Sequence, residues 1–147
     1  YNEAVNQFEK DLRILENVNL KLYKATDMRL WLSAAYNKLD KREEAIRALD
    51  LKNHDLQEER YLFRKIMEFY AGDIEIDAVL TIVGNAAVAD PVGTLFYGNF
   101  YLGLYFDSMN QKEMVGAFLD IPVTSDKFPK YDLWFHIPRL LLEKVQK

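Results

Sequence analysis

No cysteine occurs among the 147 residues, which excludes a disulfide framework, a thiolate nucleophile and a zinc ribbon. Histidine is nearly absent. His54 and His136 are the only two, and no pair falls at metal-ligand spacing, so no metal or cofactor is expected. An excess of positive charge is also missing, since the net charge is −4, which argues against a general nucleic-acid binder. No uninterrupted apolar run approaches the roughly 18 residues that a membrane span requires. The longest low-charge stretch, Ala78 to Phe106, carries only Asp90 and is broken by Gly84, Asn85, Pro91 and Gly93, which reads as two helices and a turn. Glycosylation sequons are lacking too, because no Asn is followed two residues later by Ser or Thr.

What is present is core-forming material. Half of the residues are hydrophobic and 20 are aromatic, which excludes disorder. The length suits a single domain, 1–147, able to bury about two-thirds of the surface of its unfolded chain. Charge is unevenly distributed. Residues 1–75 hold 28 charged side chains, whereas residues 76–126 hold seven, of which Lys112 alone is positive. Two readings fit this asymmetry: a second half more deeply buried in its own fold, or one partly covered by a partner.

Helical periodicity runs through the chain. Val5, Phe8, Leu12 and Leu15 form one stripe. Leu30, Trp31, Ala34, Ala35 and Leu39 form another, followed by Ala45, Ile46 and Leu49. Leu62, Phe63, Ile66, Met67 and Tyr70 mark a third, with Ala78, Val79, Ile82 and Val83 behind it, and Phe96, Phe100, Leu104 and Tyr105 mark the next. Start signals agree with the stripes. Thr26 is expected to cap the helix that contains Trp31, Asp55 with Glu58 resembles a capping box, and Asp90-Pro91 supplies an N-cap and a first-turn proline. The alternation Asp73-Ile-Glu-Ile-Asp77 is too short for a convincing strand. The expected class is all-α, with about eight helices.

The helices recur in pairs. Leu32-Ser33-x-x-Tyr36 is followed nine residues later by Ala45 and then by Leu49; Leu102-Gly103-x-x-Phe106 is followed nine later by Val115 and then by Leu119. Tyr1-x-x-Ala4-x-x-x-Phe8 reads as the second half of such a unit, and Phe69, Ala78 and Ile82 as a weaker copy. Small residues would let paired helices cross closely while bulky ones fill the groove between pairs. This pattern resembles the tetratricopeptide repeat, a helix–turn–helix unit of about 34 residues. The small second-helix positions Ala4, Ala45, Ala78 and Val115 lie 41, 33 and 37 residues apart. Ser33 stands where the family has glycine, Asp40 and Asn110 hold its turn-glycine position, and Val115 replaces its small Ala.

The resemblance implies a right-handed α-solenoid. It would comprise the second half of a truncated repeat at 1–18, repeats at 26–51 and 91–121, a degenerate repeat at 55–84 and a closing helix at 129–147. Tyr1 would then open a second helix, so the sequence is expected to begin in mid-repeat within a longer protein. Pro138 is expected to kink or restart the closing helix. His136, beside Trp134 and Phe135, is expected to be a partly buried helical residue.

Catalytic motifs fail one at a time. Asp73-x-Glu75-x-Asp77 imitates the opening of a calcium loop, but Ala78 and Gly84 take the positions that need Gly and Glu. Gly98 and Gly103 have phosphate-loop spacing, but Leu104-Tyr105 follow where Lys-Ser/Thr belong, and helix packing accounts for them better. No Gly-x-Ser-x-Gly elbow exists. Pairs such as Glu43-Glu44 and Glu58-Glu59 read as solvated faces. No catalytic residues are expected.

The resemblance implies instead a concave groove lined by first helices. Its register gives Asp27, Leu30, Ala34, Asn37 and Lys38, then Arg60, Phe63, Met67, Tyr70 and Ala71, then Tyr97, Phe100, Leu104, Asp107 and Ser108. The core of this expected partner-binding set is Leu30, Asn37, Lys38, Phe63, Met67, Tyr70, Tyr97, Phe100 and Leu104. Family members that grip a C-terminal carboxylate use Lys and Asn where this chain has Leu30 and Ala34, so that clamp is missing. An apolar and aromatic groove suits an apolar peptide or an amphipathic helix; the same aromatics could equally pack on a neighbouring helix of this protein. The expected function is a non-catalytic scaffold or adaptor that binds other proteins. The alternative is a structural subunit permanently embedded in a large complex through residues 76–126. The segment from Phe96 to Met109 is similar to a helix in tetratricopeptide proteins of algal plastids and in NlpI-type bacterial lipoproteins. A plastid location, and peripheral association with a photosynthetic membrane complex, are what the plastid likeness would imply.

Overall fold

The structure, a computed structural model, describes residues 1–17, 23–52, 61–87, 91–124 and 133–145. These residues form eight α-helices and, among them, no strand: α1 (Asn2–Asn17), α2 (Tyr23–Asn37), α3 (Arg42–Leu49), α4 (Tyr61–Ala71), α5 (Ile76–Ala86), α6 (Pro91–Ser108), α7 (Lys112–Thr124) and α8 (Leu133–Val145). The protein is therefore all-α. The chain divides into two compact units, Tyr1–Ile74 and Glu75–Lys147, each with its own core. That boundary falls within a residue of the step in charge density between residues 75 and 76.

In the first unit, α1 packs on α2, α2 on α3 and α4, and α3 on α4. The α1 stripe delivers Val5 and Leu12 to a cluster with Ala25, Leu32 and Ala35 of α2, against which Phe8 and Tyr36 lean. Phe8 stacks on Trp31 with ring centroids 6.5 Å apart. Because α2 has neighbours on several sides, it buries Ala25, Leu30, Leu32, Ala34 and Ala35 around most of its circumference. Thr26, the expected N-cap, is instead inside α2 and buried, since the helix begins three residues earlier at Tyr23. The Asp55–Glu58 box, His54 and Arg60 lie outside the described residues.

Arginines close the helix ends of this unit. Arg29, with a side chain only 10% exposed, donates from Nη1 to the Ala48 carbonyl at 3.0 Å and pairs with Asp50 at 3.3 Å, sealing the end of α3. Arg64 donates to the Leu51 carbonyl at 2.9 Å and to Glu68 at 2.8 Å. Lys65 donates to the second oxygen of Glu68 at 2.6 Å. Burial pushes the Glu68 carboxyl up, but the two cationic donors more than offset it and hold its pKa below the ordinary value.

In the second unit, α6 packs on α5, α7 and α8, and α7 also packs on α8. Phe100, Tyr101, Leu102 and Leu104 are all buried, so α6, like α2, is enclosed rather than one-faced. Fully burying a side chain such as Phe100 contributes about 1.5–3 kcal/mol. Phe106 of α6 stacks on Phe118 of α7 with rings 9° from parallel and 5.3 Å apart. Two glycines of α6 serve packing. A Cβ on Gly98 would lie 3.2 Å from Val83 of α5, and one on Gly103 would lie 2.3 Å from Leu119 of α7. Pro91 begins α6, while Asp90 lies outside the described residues. Helix α8 runs through Pro138, which is buried, rather than restarting there, and His136 is exposed on it instead of partly buried.

Three helix ends share one turn. The Lys41 amide donates to the Tyr36 carbonyl, Asp73 to Glu68 and Gln111 to Phe106, at 3.0, 2.9 and 2.9 Å. Asp40, Gly72 and Asn110 precede those amides with φ of 57°, 90° and 58°. Each donates to the carbonyl three residues back at 3.0 Å, completing a Schellman cap. Only glycine reaches this left-handed conformation freely; Asp and Asn tolerate it through their short polar side chains. In the helices that follow, the buried pairs are Ala45/Leu49, Val79/Val83 and Val115/Leu119. The middle pair lies one position beyond the expected Ala78/Ile82, and Ala78 is exposed. The cause is a longer turn: α5 starts four residues after Gly72, whereas α3 and α7 start two after Asp40 and Asn110.

Candidate functional site

Eight of the nine residues expected to line a groove sit on α2, α4 and α6, and Lys38 stands one residue past the end of α2. In the first unit, α2 and α4 touch, which brings the Leu30–Lys38 and Phe63–Tyr70 sets onto adjoining helices. Leu30, Met67 and Tyr70 have no exposed surface, and Asn37 is buried. Lys38 and Phe63 are half-buried. In the second unit, Phe100 and Leu104 are buried and Tyr97 is half-buried. Tyr97 meets Phe96 edge-on at 5.2 Å, and Phe96 stacks on Phe100 at 6.3 Å. The surface that a partner can reach among the nine is therefore Lys38, Phe63 and Tyr97; the other six are core of their own units.

Two of the nine are tied together by a residue that sequence reasoning passed over. Arg42 donates from Nη1 to Asn37 Oδ1 at 3.3 Å and from Nη2 to the Tyr70 carbonyl at 2.6 Å, joining the ends of α2 and α4. Its position held a signal. A cation at the start of α3 opposes the helix dipole, so its presence there calls for a partner elsewhere.

On another side of the first unit, α1, α2 and α3 leave a recess of about 320 Å³ lined by Glu9, Leu32, Tyr36, Glu44, Arg47 and Ala48. The Tyr36 hydroxyl donates to Glu9 Oε1. That hydrogen bond, then burial, then the charges of Glu9 and Glu44 push its pKa up to about 12, with Arg47 opposing. The phenol is thus held protonated near neutral pH, as a donor to Glu9. Glu9 also pairs with Arg13 at 3.4 Å and Glu44 with Arg47 at 3.6 Å; both arginines are largely exposed, and such pairs contribute little.

Among the described residues, no group of three or more His, Cys, Asp or Glu side chains is placed to hold a metal ion, and no helix is long and apolar enough to cross a membrane. Compared with family models, with curated proteins and with solved structures, the chain matches none.

Proposed function

We propose that the chain is a non-catalytic protein-interaction module, an adaptor built as a tetratricopeptide-like α-solenoid. Recurrence is the observation that carries this reading. Identical caps at Asp40, Gly72 and Asn110 stand 32 and 38 residues apart, and the buried positions Ala45, Val79 and Val115 stand 34 and 36 apart. The period expected of such repeats is about 34. Contacts of α2 with both α3 and α4, and of α6 with both α7 and α8, fit helix pairs stacked within each unit. Arrays of this kind act by holding other proteins on an extended surface.

On this reading each unit offers its own first-helix surface to an apolar peptide or helix, the first through Lys38 and Phe63 and the second through Tyr97. Phe63→Ala and Tyr97→Ala are the test, with circular dichroism to verify the fold. Capture of interacting proteins from an extract of the source cells should be lost in the variants. Unchanged capture would sink the first-helix surface.

A second reading is a permanently embedded subunit, for which a photosynthetic membrane complex is one candidate setting. It is favoured by Leu80, Val92, Met109, Met114 and Ile121, large apolar residues exposed within the low-charge stretch. Sedimentation separates the two: an adaptor stays monodisperse when purified, whereas an embedded subunit self-associates without its complex.

A further inference from the structure

The apolar face of helix α7 is wider than the part its own unit covers. Its inward face is complete: Val115, Phe118, Leu119 and Pro122 are buried. A surface helix with such a face ordinarily turns polar residues outward. Here Glu113 and Asp120 do so, but Met114, Ala117 and Ile121, at spacings of three and four between those carboxylates and the buried face, are exposed as well, with Met114 at 37% and Ile121 at 42%. They fall on one line about two helical turns long.

A second line runs beside the first. Glu113 and Asp120, also seven residues apart, are exposed, and among the described residues neither carboxylate has a hydrogen bond or an ion pair. The stretch 76–126 around them contains a single cation, Lys112. The exposed surface of α7 is thus an apolar strip, continuous with the buried face, edged by two carboxylates that have no partner among the described residues.

We infer that this face of α7 docks a basic amphipathic helix of another protein, one with an apolar strip flanked by Lys or Arg. Apolar anchors at seven-residue spacing lie against Met114 and Ile121, and the cations meet Glu113 and Asp120, which set the orientation of the bound helix. The same carboxylates oppose an anionic lipid surface or a nucleic acid. A second copy of the chain would bring its own carboxylates to the contact. The proposal deepens the adaptor reading but uses a different surface from the first-helix residues.

The test uses the full chain and two synthetic 18-residue amphipathic helices, one of Leu and Lys and one of Leu and Glu in the same pattern, with binding read by fluorescence anisotropy. The Leu/Lys peptide should bind at least tenfold tighter than the Leu/Glu peptide. Met114→Ser with Ile121→Ser should weaken it at least tenfold, and Glu113→Lys with Asp120→Lys should reverse the preference. All four side chains are exposed, so the fold is kept. Glu3→Lys with Glu43→Lys, exposed carboxylates of the first unit, should leave binding unchanged; an equal loss there would reduce the effect to diffuse charge attraction and overturn the proposal. Equal affinity for both peptides would overturn it, as would a dimer dissolved by the Met114/Ile121 pair or Ile121-dependent binding to phosphatidylglycerol vesicles. Phe63→Ala and Tyr97→Ala should bind the Leu/Lys peptide normally, so failure on α7 and failure of the first-helix surface are distinguishable.

Discussion

Replacing Gly103 with Ala probes a close approach of α6 to α7. The new methyl would sit 2.3 Å from Leu119 Cδ2 and 2.6 Å from Cγ, where carbon atoms normally rest about 3.5–4.0 Å apart. Leu119 has no exposed surface and stands in the core beside Phe118, so it can yield only by displacing neighbours or by driving α6 and α7 apart. Overpacking of this kind costs about 1–3 kcal/mol, and an overlap above an ångström belongs at the upper end. Alanine returns about 1 kcal/mol of helix propensity. A net destabilisation of about 2 kcal/mol remains, which lowers the melting temperature by roughly 4–8 °C for a chain of this size. Thermal and urea unfolding followed by circular dichroism would measure it. Gly116 in α7 is the control: a Cβ there meets nothing within 4 Å, so Gly116→Ala should raise stability by about 0.5–1 kcal/mol. Leu119→Ala should relieve the clash, so that Gly103→Ala costs at least 1 kcal/mol less in its presence. A Gly103→Ala protein as stable as the wild type, or effects that simply add, would refute the close approach.

Two further outcomes follow from the caps and from Tyr36. Asp40→Gly and Asn110→Gly should each stabilise by about 0.5–1 kcal/mol in urea unfolding, because glycine reaches the left-handed conformation without a Cβ penalty, while Gly72→Ala should lose about 1 kcal/mol. The raised pKa of Tyr36 means that the folded state holds that proton more tightly than the unfolded chain does. Its contribution is complete below pH 10 and is lost as pH rises from 10 through about 12. Wild type should therefore lose stability relative to Tyr36→Phe across that window, and parallel curves would contradict the Tyr36–Glu9 bond.

Much of the helical layout is legible because its signals are local. The stripe of α1 marks Val5 and Leu12 as core, and Pro91 marks the start of α6. Asp40 and Asn110, identified by their offset from Tyr36 and Phe106, hold the two cap positions. The middle of the chain is read one residue out of register. The repeat spacing runs from Phe69, whereas the cap closes on Glu68 and the turn beyond it is longer. Thr26 shows the limit of cap signals: a capping residue near a stripe does not stop a helix when the residues before it also adopt helical geometry. The groove residues show another. An i, i+3, i+4 pattern identifies an apolar face but not what covers it, and Leu30, Met67, Tyr70, Phe100 and Leu104 are covered by their own units.

What the sequence by itself determined is the helical class, the small residue at Gly103 and the step in charge near residue 75, all consequences of composition and short-range spacing. Tertiary structure decided the rest. Whether a helix presents one face or is enclosed depends on how many neighbours it has, which separates α1 from α2 and α6. The reach of Arg42 to Tyr70, and the outward turn of Met114 and Ile121, depend likewise on the rotation of each helix in its bundle. That rotation is set by packing against residues far away in the chain, which no local pattern encodes.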